Sequence, residues 1–219
     1  MNKPEELSEA VVERVDPSAE QRRQPKQPRS VETFNSILEA AGALFAERGY
    51  EQTTTHQIAA SAGVSVGALY RYFGGKQAIL QEVYRRETTQ LRQRILASFS
   101  IADLVGQDLP KLVNKAMTLA FGAYGERPGL RRVLVEQARK IPELAELRKE
   151  QEQQIHEAVR AILGAAPGVQ IPDIEIGAYL VTLFMESLID DYTLYREPKF
   201  EEQRVIDAAA DFILRYALG

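Results

Sequence analysis

The 219-residue chain contains no cysteine and only two histidines, His56 and His156, a hundred residues apart. Without thiols there are no disulfides, thiolate zinc sites or cysteine nucleophiles, and two distant histidines leave little for a metal centre or a Ser-His pair. No apolar run approaches the ~20 residues that span a bilayer, and the first residues, "MNKPEELSEAVVERVDPSAEQ", hold no apolar signal core. A cytoplasmic protein with no membrane partner and no cofactor is expected. A Glu-x-x-His pair and a glycine-rich phosphate loop are missing too, which removes the usual supports of a helical-bundle enzyme.

What is present is a mixture of 45% hydrophobic and 26% charged residues, sufficient for one large domain or a small and a medium one. The formal net charge of -4 is unevenly spread: residues 20–76 carry seven basic against five acidic side chains, and both flanks are acidic. A basic segment inside an acidic protein is the distribution expected when one part meets a polyanion and the rest does not. Residues 1–30, rich in Pro, Glu, Gln and Arg, read as a disordered arm whose end carries Arg22, Arg23, Lys26 and Arg29. That arm is either a solvated tail or an extension reaching phosphates or the minor groove.

From Val31 the apolar period becomes helical. Phe34, Ile37, Leu38, Ala41, Leu44 and Phe45 share one stripe, and Gly49 supplies a stop. Thr54, followed three residues later by Gln57, forms a capping-box pattern that opens a second helix over "THQIAASA". Gly63 allows the positive φ of a tight turn, Val64 plugs the core, and Ser65 caps a third helix, "VGALYRYF". The result is a helix-turn-helix unit over residues 54–73.

These residues carry a family likeness. "GYEQTTTHQIAASAGVSVGALYRYFGGKQAIL" resembles the DNA-binding domain of the TetR family of bacterial transcriptional regulators, nearly without gaps from Val31 to Arg86. Thr55 stands where the family usually has an apolar residue, and Gly74-Gly75 loosens the link to the fourth helix. The resemblance implies an all-α protein: an N-terminal three-helix DNA-binding domain over 31–86 and a C-terminal helical effector-binding and dimerisation domain over 87–219. It implies binding to an inverted-repeat DNA operator as a homodimer, most simply as a repressor, with a small-molecule effector.

The expected DNA-binding residues are Thr54, Thr55, Ser65, Val66, Gly67, Ala68, Tyr70, Arg71, Tyr72 and Lys76. Ser65, Val66, Gly67 and Ala68 are small enough to let a helix approach base edges in a groove about 12 Å wide. Leu69 and Phe73 point inward, leaving Tyr70, Arg71 and Tyr72 outside. By resemblance, Tyr70, Tyr72 and Lys76 hold phosphates, with the start of the fourth helix assisting Lys76. Arg71 suits either a guanine edge or a phosphate, and His56 reads as a surface residue.

Beyond Lys76 the pattern stays helical, with a fourth helix to Ser98 and about six more. Pro110, Pro128, Pro142 and Pro172 are placed in first turns, and breaks fall near "GQD", "GERPG", "GAAPGVQIP" and "REPKF". The last two helices, helices 8 and 9, contain "IGAYLVTLFMESLI" and "VIDAAADFILRYAL", which are apolar on more than one side. A helix apolar on both sides needs partners on both, either in a homodimer or in one central core. Phe121, Tyr124, Phe184, Met185 and Tyr192 are read either as an apolar effector pocket or as plain core. Glu186 interrupts the longest apolar run: if buried it needs a cationic ligand or an arginine, and otherwise it faces solvent or the dimer rim. Three functions are weighed: a regulator released by a small, largely apolar effector, a helical-bundle enzyme, and an architectural DNA binder without effector. Two thirds of the chain lacks basic character, which disfavours the last.

Overall fold

The computed structural model of the chain describes residues 27–98, 108–195 and 200–219. Among the described residues there are nine α-helices and no strand: α1 (Pro28–Gln52), α2 (Thr55–Ser61), α3 (Val66–Tyr72), α4 (Lys76–Ser98), α5 (Leu109–Gly125), α6 (Pro128–Ala138), α7 (Pro142–Ala165), α8 (Ile174–Asp190) and α9 (Glu202–Leu218). A π-helical turn, Asp191–Tyr195, continues α8. The basic residues Arg22, Arg23 and Lys26, the start of the "GQD" break and most of "REPKF" lie outside the described residues.

The first helix starts at Pro28, three residues before Val31, so Arg29 sits in its first turn rather than in an arm. Proline suits this place because its fixed φ is helical and its missing N–H would have had no partner. Gly49 ends the regular helix with φ 78°, a value only glycine adopts without strain. Just beyond it Thr53, fully buried, donates its hydroxyl to the Gly49 carbonyl at 2.8 Å and lies 3.3 Å from that of Leu44. The capping box of α2 is complete: Thr54 Oγ1 accepts from the Gln57 N–H and Gln57 Oε1 accepts from the Thr54 N–H. Gly63 takes φ 68° and Ser65 Oγ accepts from the Ala68 N–H to open α3.

Pro110, Pro128 and Pro142 occupy the first turns of α5, α6 and α7. Pro172 does not open α8. It precedes the N-cap Asp173, whose carboxylate accepts from the N–H groups of Glu175 and Ile176 at 3.0 and 3.1 Å. The carboxylate satisfies two otherwise unpaired donors, which a proline ring cannot do.

Two hydrophobic cores result. In the first, Ile37, Phe45, Ile58, Leu69 and Leu80 are closed off by Leu130, Val133 and Leu134 of α6 and Leu144 of α7. The core of the N-terminal helices is therefore not confined to residues 31–86. Contact between α1 and α6 is close: a Cβ on Gly129 would stand 2.7 Å from the Ala46 carbonyl oxygen. The second core gathers Met117 and Phe121 of α5, Ile189 of α8, and Ile206 and Ile213 of α9.

Candidate nucleic-acid interface and effector cavity

The two short helices α2 and α3 are held by Ile58, Ala59 and Leu69, each without solvent exposure. Phe73 stacks on Phe34 with ring centroids 4.9 Å apart, anchoring the end of α3 to α1. This leaves an outer strip. Ser65 and Gly67 are exposed, Val66 and Ala68 half-buried, and a Cβ at Gly67 would meet no atom within 4 Å. The backbone of α3 is bare at this point, as approach to base edges requires. Arg71 is exposed and makes no ion pair among the described residues, so its five N–H donors are available to a base or a phosphate.

The remaining expected residues are tied more closely to the protein. The Thr54 oxygen caps α2, and His56 beside it is exposed. The Thr55 and Tyr70 hydroxyls lie 3.1 Å apart in mutual hydrogen-bond reach, linking the start of α2 to α3. A hydroxyl at position 55, where the resemblance leads to an apolar residue, thus has a partner within the chain. Tyr72 is half-buried with its ring edge-on to Phe34 at 6.2 Å. The Lys76 ammonium donates to the Tyr50 carbonyl at 2.8 Å, reaches that of Glu51 at 3.4 Å, and sits 4.3 Å from the Tyr50 ring centre. It clamps the end of α1 to the start of α4, a use that its position after the glycine pair did not signal.

Behind the first core lies a partly open cavity of about 100 Å³ between α4, α5, α6, α7 and α8. Of the five residues expected to line a pocket, only Tyr124 does. Phe121 is fully buried in the second core with Tyr192 at 5.4 Å, and Phe184 packs on Phe212 at 4.8 Å. Met185 packs against the same core, and Tyr192 donates its hydroxyl to the Phe200 carbonyl at 3.1 Å. Their helical spacing marks packing faces, and spacing alone does not distinguish a filled face from a hollow one.

The cavity lining combines charged side chains with the apolar Leu91, Leu130, Leu134 and Val135. Arg131 donates to Asp190 through Nε at 3.1 Å and stands over the Tyr124 ring, its guanidinium carbon 3.5 Å from the centre. Arg148 donates to Glu152 at 2.5 Å, and the Tyr84 hydroxyl donates to Gln151 at 3.0 Å. Burial pushes the phenols of Tyr84 and Tyr124 above their ordinary values, keeping both as donors. Glu186 faces this interior, not the rim that is the other reading of its position. Burial, then the nearby Glu152 and Asp190 carboxylates, push its carboxyl up to about 7, against the opposing pull of Arg148 and Arg131. Sequence reasoning identified Glu186 through its interruption of an apolar run. It had no means of finding Arg131, Arg148 or Asp190, which lie on separate helices.

Ion pairs also join the two regions. Arg127, which precedes α6, lines the cavity, donates to Glu87 of α4 at 2.8 Å and lies 3.7 Å from Glu39 of α1. Glu39 is also paired with Arg86 of α4 at 2.5 Å.

Toward its start α8 exposes Ile176, Tyr179, Leu180 and Leu183, spaced by three and four residues, and α9 exposes Phe212 and Tyr216. Together they are a set of large apolar side chains exposed on two helices that pack on each other, with Phe212 also stacked on Phe184. Among the described residues, no helix is long and apolar enough to cross a membrane.

Comparison with known proteins agrees with this layout. The family described as "Bacterial regulatory proteins, tetR family" matches residues 37–83, and "Tetracyclin repressor-like, C-terminal domain" matches residues 108–216. The A-factor receptor protein of Streptomyces griseus is 41% identical over 64 residues, covering 29% of this chain and 23% of that protein. The fatty acid metabolism regulator protein of Bacillus subtilis is 26% identical over 144 residues, 66% of this chain and 69% of its own length. A transcriptional regulator from Rhodococcus superposes with TM-score 0.69 at 24% identity, over 85% of this chain and 98% of that one. The first match thus spans about a quarter of its relative, and the structural likeness speaks to the fold.

Proposed function

Because the chain belongs to the TetR family of bacterial regulatory proteins, we propose that it is a dimeric, ligand-responsive DNA-binding regulator, a repressor that leaves an inverted-repeat operator when a small molecule fills the cavity. The observation that carries this reading is the bare outer strip of α3, with Gly67 open and Arg71 unpaired above a tightly packed core. The relatives reported above are named as regulators and a receptor, so the enzyme reading has no support among them. The architectural reading leaves the cavity without a purpose.

In this proposal Ser65, Val66, Gly67, Ala68 and Arg71 meet the major groove. Thr54, Thr55, Tyr70, Tyr72 and Lys76 face the backbone, Lys76 with the donor it retains beyond two carbonyls. The exposed apolar side chains on α8 and α9 close on their own copies across a twofold axis, forming a four-helix contact. Two recognition helices then reach successive major grooves only when their centres lie about 34–36 Å apart. The effector presents a largely apolar body to Leu91, Leu130, Leu134 and Val135. Because α6 carries three of these residues and also packs on α1, a shift of α6 moves the reading head. A coupling of about 1–3 kcal/mol weakens DNA binding by about 5- to 150-fold, and DNA weakens effector binding equally.

The test is titration of the protein on one specific inverted repeat and on random duplex, over a range of salt. Arg71→Ala is expected to cost about 1–3 kcal/mol and relax preference at one symmetric pair of positions. Lys76→Ala should flatten the plot of log affinity against log salt by about 1.8 per dimer, at about 0.9 per phosphate contact. Equal affinity for both duplexes removes the proposal, and an unchanged slope leaves Lys76 as a clamp only.

A further inference from the structure

Four carboxylates and four arginines line the cavity, and each of the arginines is held by a carboxylate other than Glu186. Arg131 is committed to Asp190 and to the face of Tyr124, and Arg148 is committed to Glu152. Arg127 is held by Glu87 and Arg94 by Glu126 at 2.6 Å. Tyr84 has already donated its hydroxyl to Gln151. Glu186 is left: it makes no hydrogen bond or ion pair among the described residues, although it lines the cavity and is half-buried. A carboxylate removed from water without a donor is costly, and this one shares the cavity lining with apolar side chains.

We infer that the cavity recognises an organic cation, a protonated amine whose N–H groups donate to Glu186 while a short apolar body lies along Leu130, Leu134 and Val135. The pairing favours this class. Arg131, Arg148, Arg127 and Arg94 are each bonded to another carboxylate, so an ionised Glu186 keeps a charge that none of them is bonded to and that an ammonium neutralises. An anionic ligand would have to take an arginine from a carboxylate that already holds it, leaving that carboxylate uncompensated. A neutral hydroxyl supplies one donor and leaves the Glu186 charge in place. Charge-assisted hydrogen bonds are about twice as strong as neutral ones, so the amine is favoured on geometry and on charge together.

The inference rests on the effector reading of the cavity but is tested apart from it. Calorimetric titration of the full chain with n-butylamine, 1-butanol and sodium butanoate, at matched ionic strength, should give saturable binding for the amine only. Since Glu186 titrates at about 7, the amine should release roughly half a proton at pH 7, read by repeating the titration in buffers of different ionisation enthalpy. Glu186→Gln should weaken amine binding by about tenfold or more and abolish the proton release. Glu186→Asp keeps the charge and should keep the release, so the proposal stays open to refutation even if the glutamine variant folds poorly. Butanoate binding more tightly than the amine, an unchanged affinity in Glu186→Gln, or no saturable amine binding would each overturn it. Amine binding with no effect on operator affinity would preserve the cation site and remove the effector reading; operator release by butanoate would do the reverse.

Discussion

The two hydrophobic cores are built from similar residues, yet one closes within the chain and the other does not. Around Phe45 and Leu69, helices α1–α4 are sealed by α6 and by Leu144 of α7, and nothing large and apolar remains exposed on α2 or α3. Around Phe121 and Ile213, α8 and α9 bury one face and leave Ile176, Tyr179, Leu180, Leu183, Phe212 and Tyr216 exposed. A closed core fixes a reading head as a rigid body. An open one leaves an apolar surface that is stable in water only when covered. Packing, not residue type, separates the closed core from the one that leaves large apolar side chains exposed.

The sharpest way to break this comparison is to hollow the closed core. Phe45→Ala removes a fully buried ring and should lower stability by about 3–5 kcal/mol in chemical denaturation. A loss below about 1 kcal/mol would mean that the core refills and is not closed.

The open core should respond differently. Leu183→Arg places a charge among the exposed apolar side chains of α8; it should leave the protomer folded while raising the dimer Kd by about 100-fold or more, since each 1.4 kcal/mol is about tenfold. Sedimentation at several concentrations checks this. A dimer of unchanged affinity would remove α8 from the interface.

The seam between α1 and α6 is the third place to press. Gly129→Ala puts a methyl 2.7 Å from a backbone oxygen that has no rotamer to change, and overpacking of this kind costs about 1–3 kcal/mol. Operator affinity should fall as well, although no DNA-facing residue has changed. Stability lost with affinity intact would show that α6 does not steer the reading head.

The smallest effect concerns Glu186. Its carboxyl is raised from about 4.5 to about 7, so the folded state binds a proton that the unfolded state has released. The stabilisation is complete below the unfolded value and is lost as pH climbs through about 7. Glu186→Gln should therefore raise the melting temperature of the ligand-free protein at pH 8, by about 2–4 °C if the gain is near 1 kcal/mol, with little change below pH 5. A gain of equal size at both pH values would point to packing instead of ionisation.

Much of the N-terminal unit was legible in advance because its signals are local. The Thr54–Gln57 box, the positive φ of Gly63, the Ser65 cap and the inward Leu69 and Phe73 each depend on neighbours within a few residues, and all stand as read. The same holds for the prolines that open α5, α6 and α7. Pro172 went otherwise because Asp173 competes for the same place with a better hydrogen bond. The unbalanced apolarity of the last two helices was also visible, since an excess of apolar faces can be counted without knowing where they point.

What the sequence by itself determined is thus the helical character of the chain, the caps at Thr54 and Ser65 and the family to which the chain belongs. Tertiary structure alone decided which aromatic residues fill space and which surround it. Phe121 and Tyr192 pack together whereas Tyr124 borders a cavity, because whether a side chain has atoms on its far side depends on helices distant in the chain. It also decided that Lys76 reaches the carbonyls of Tyr50 and Glu51, that Arg127 spans α1 and α4, and that Glu186 is the carboxylate left without a donor. Pairing among charges is a property of three-dimensional neighbours, and residues 20 to 90 positions apart become neighbours only when the helices close on one another.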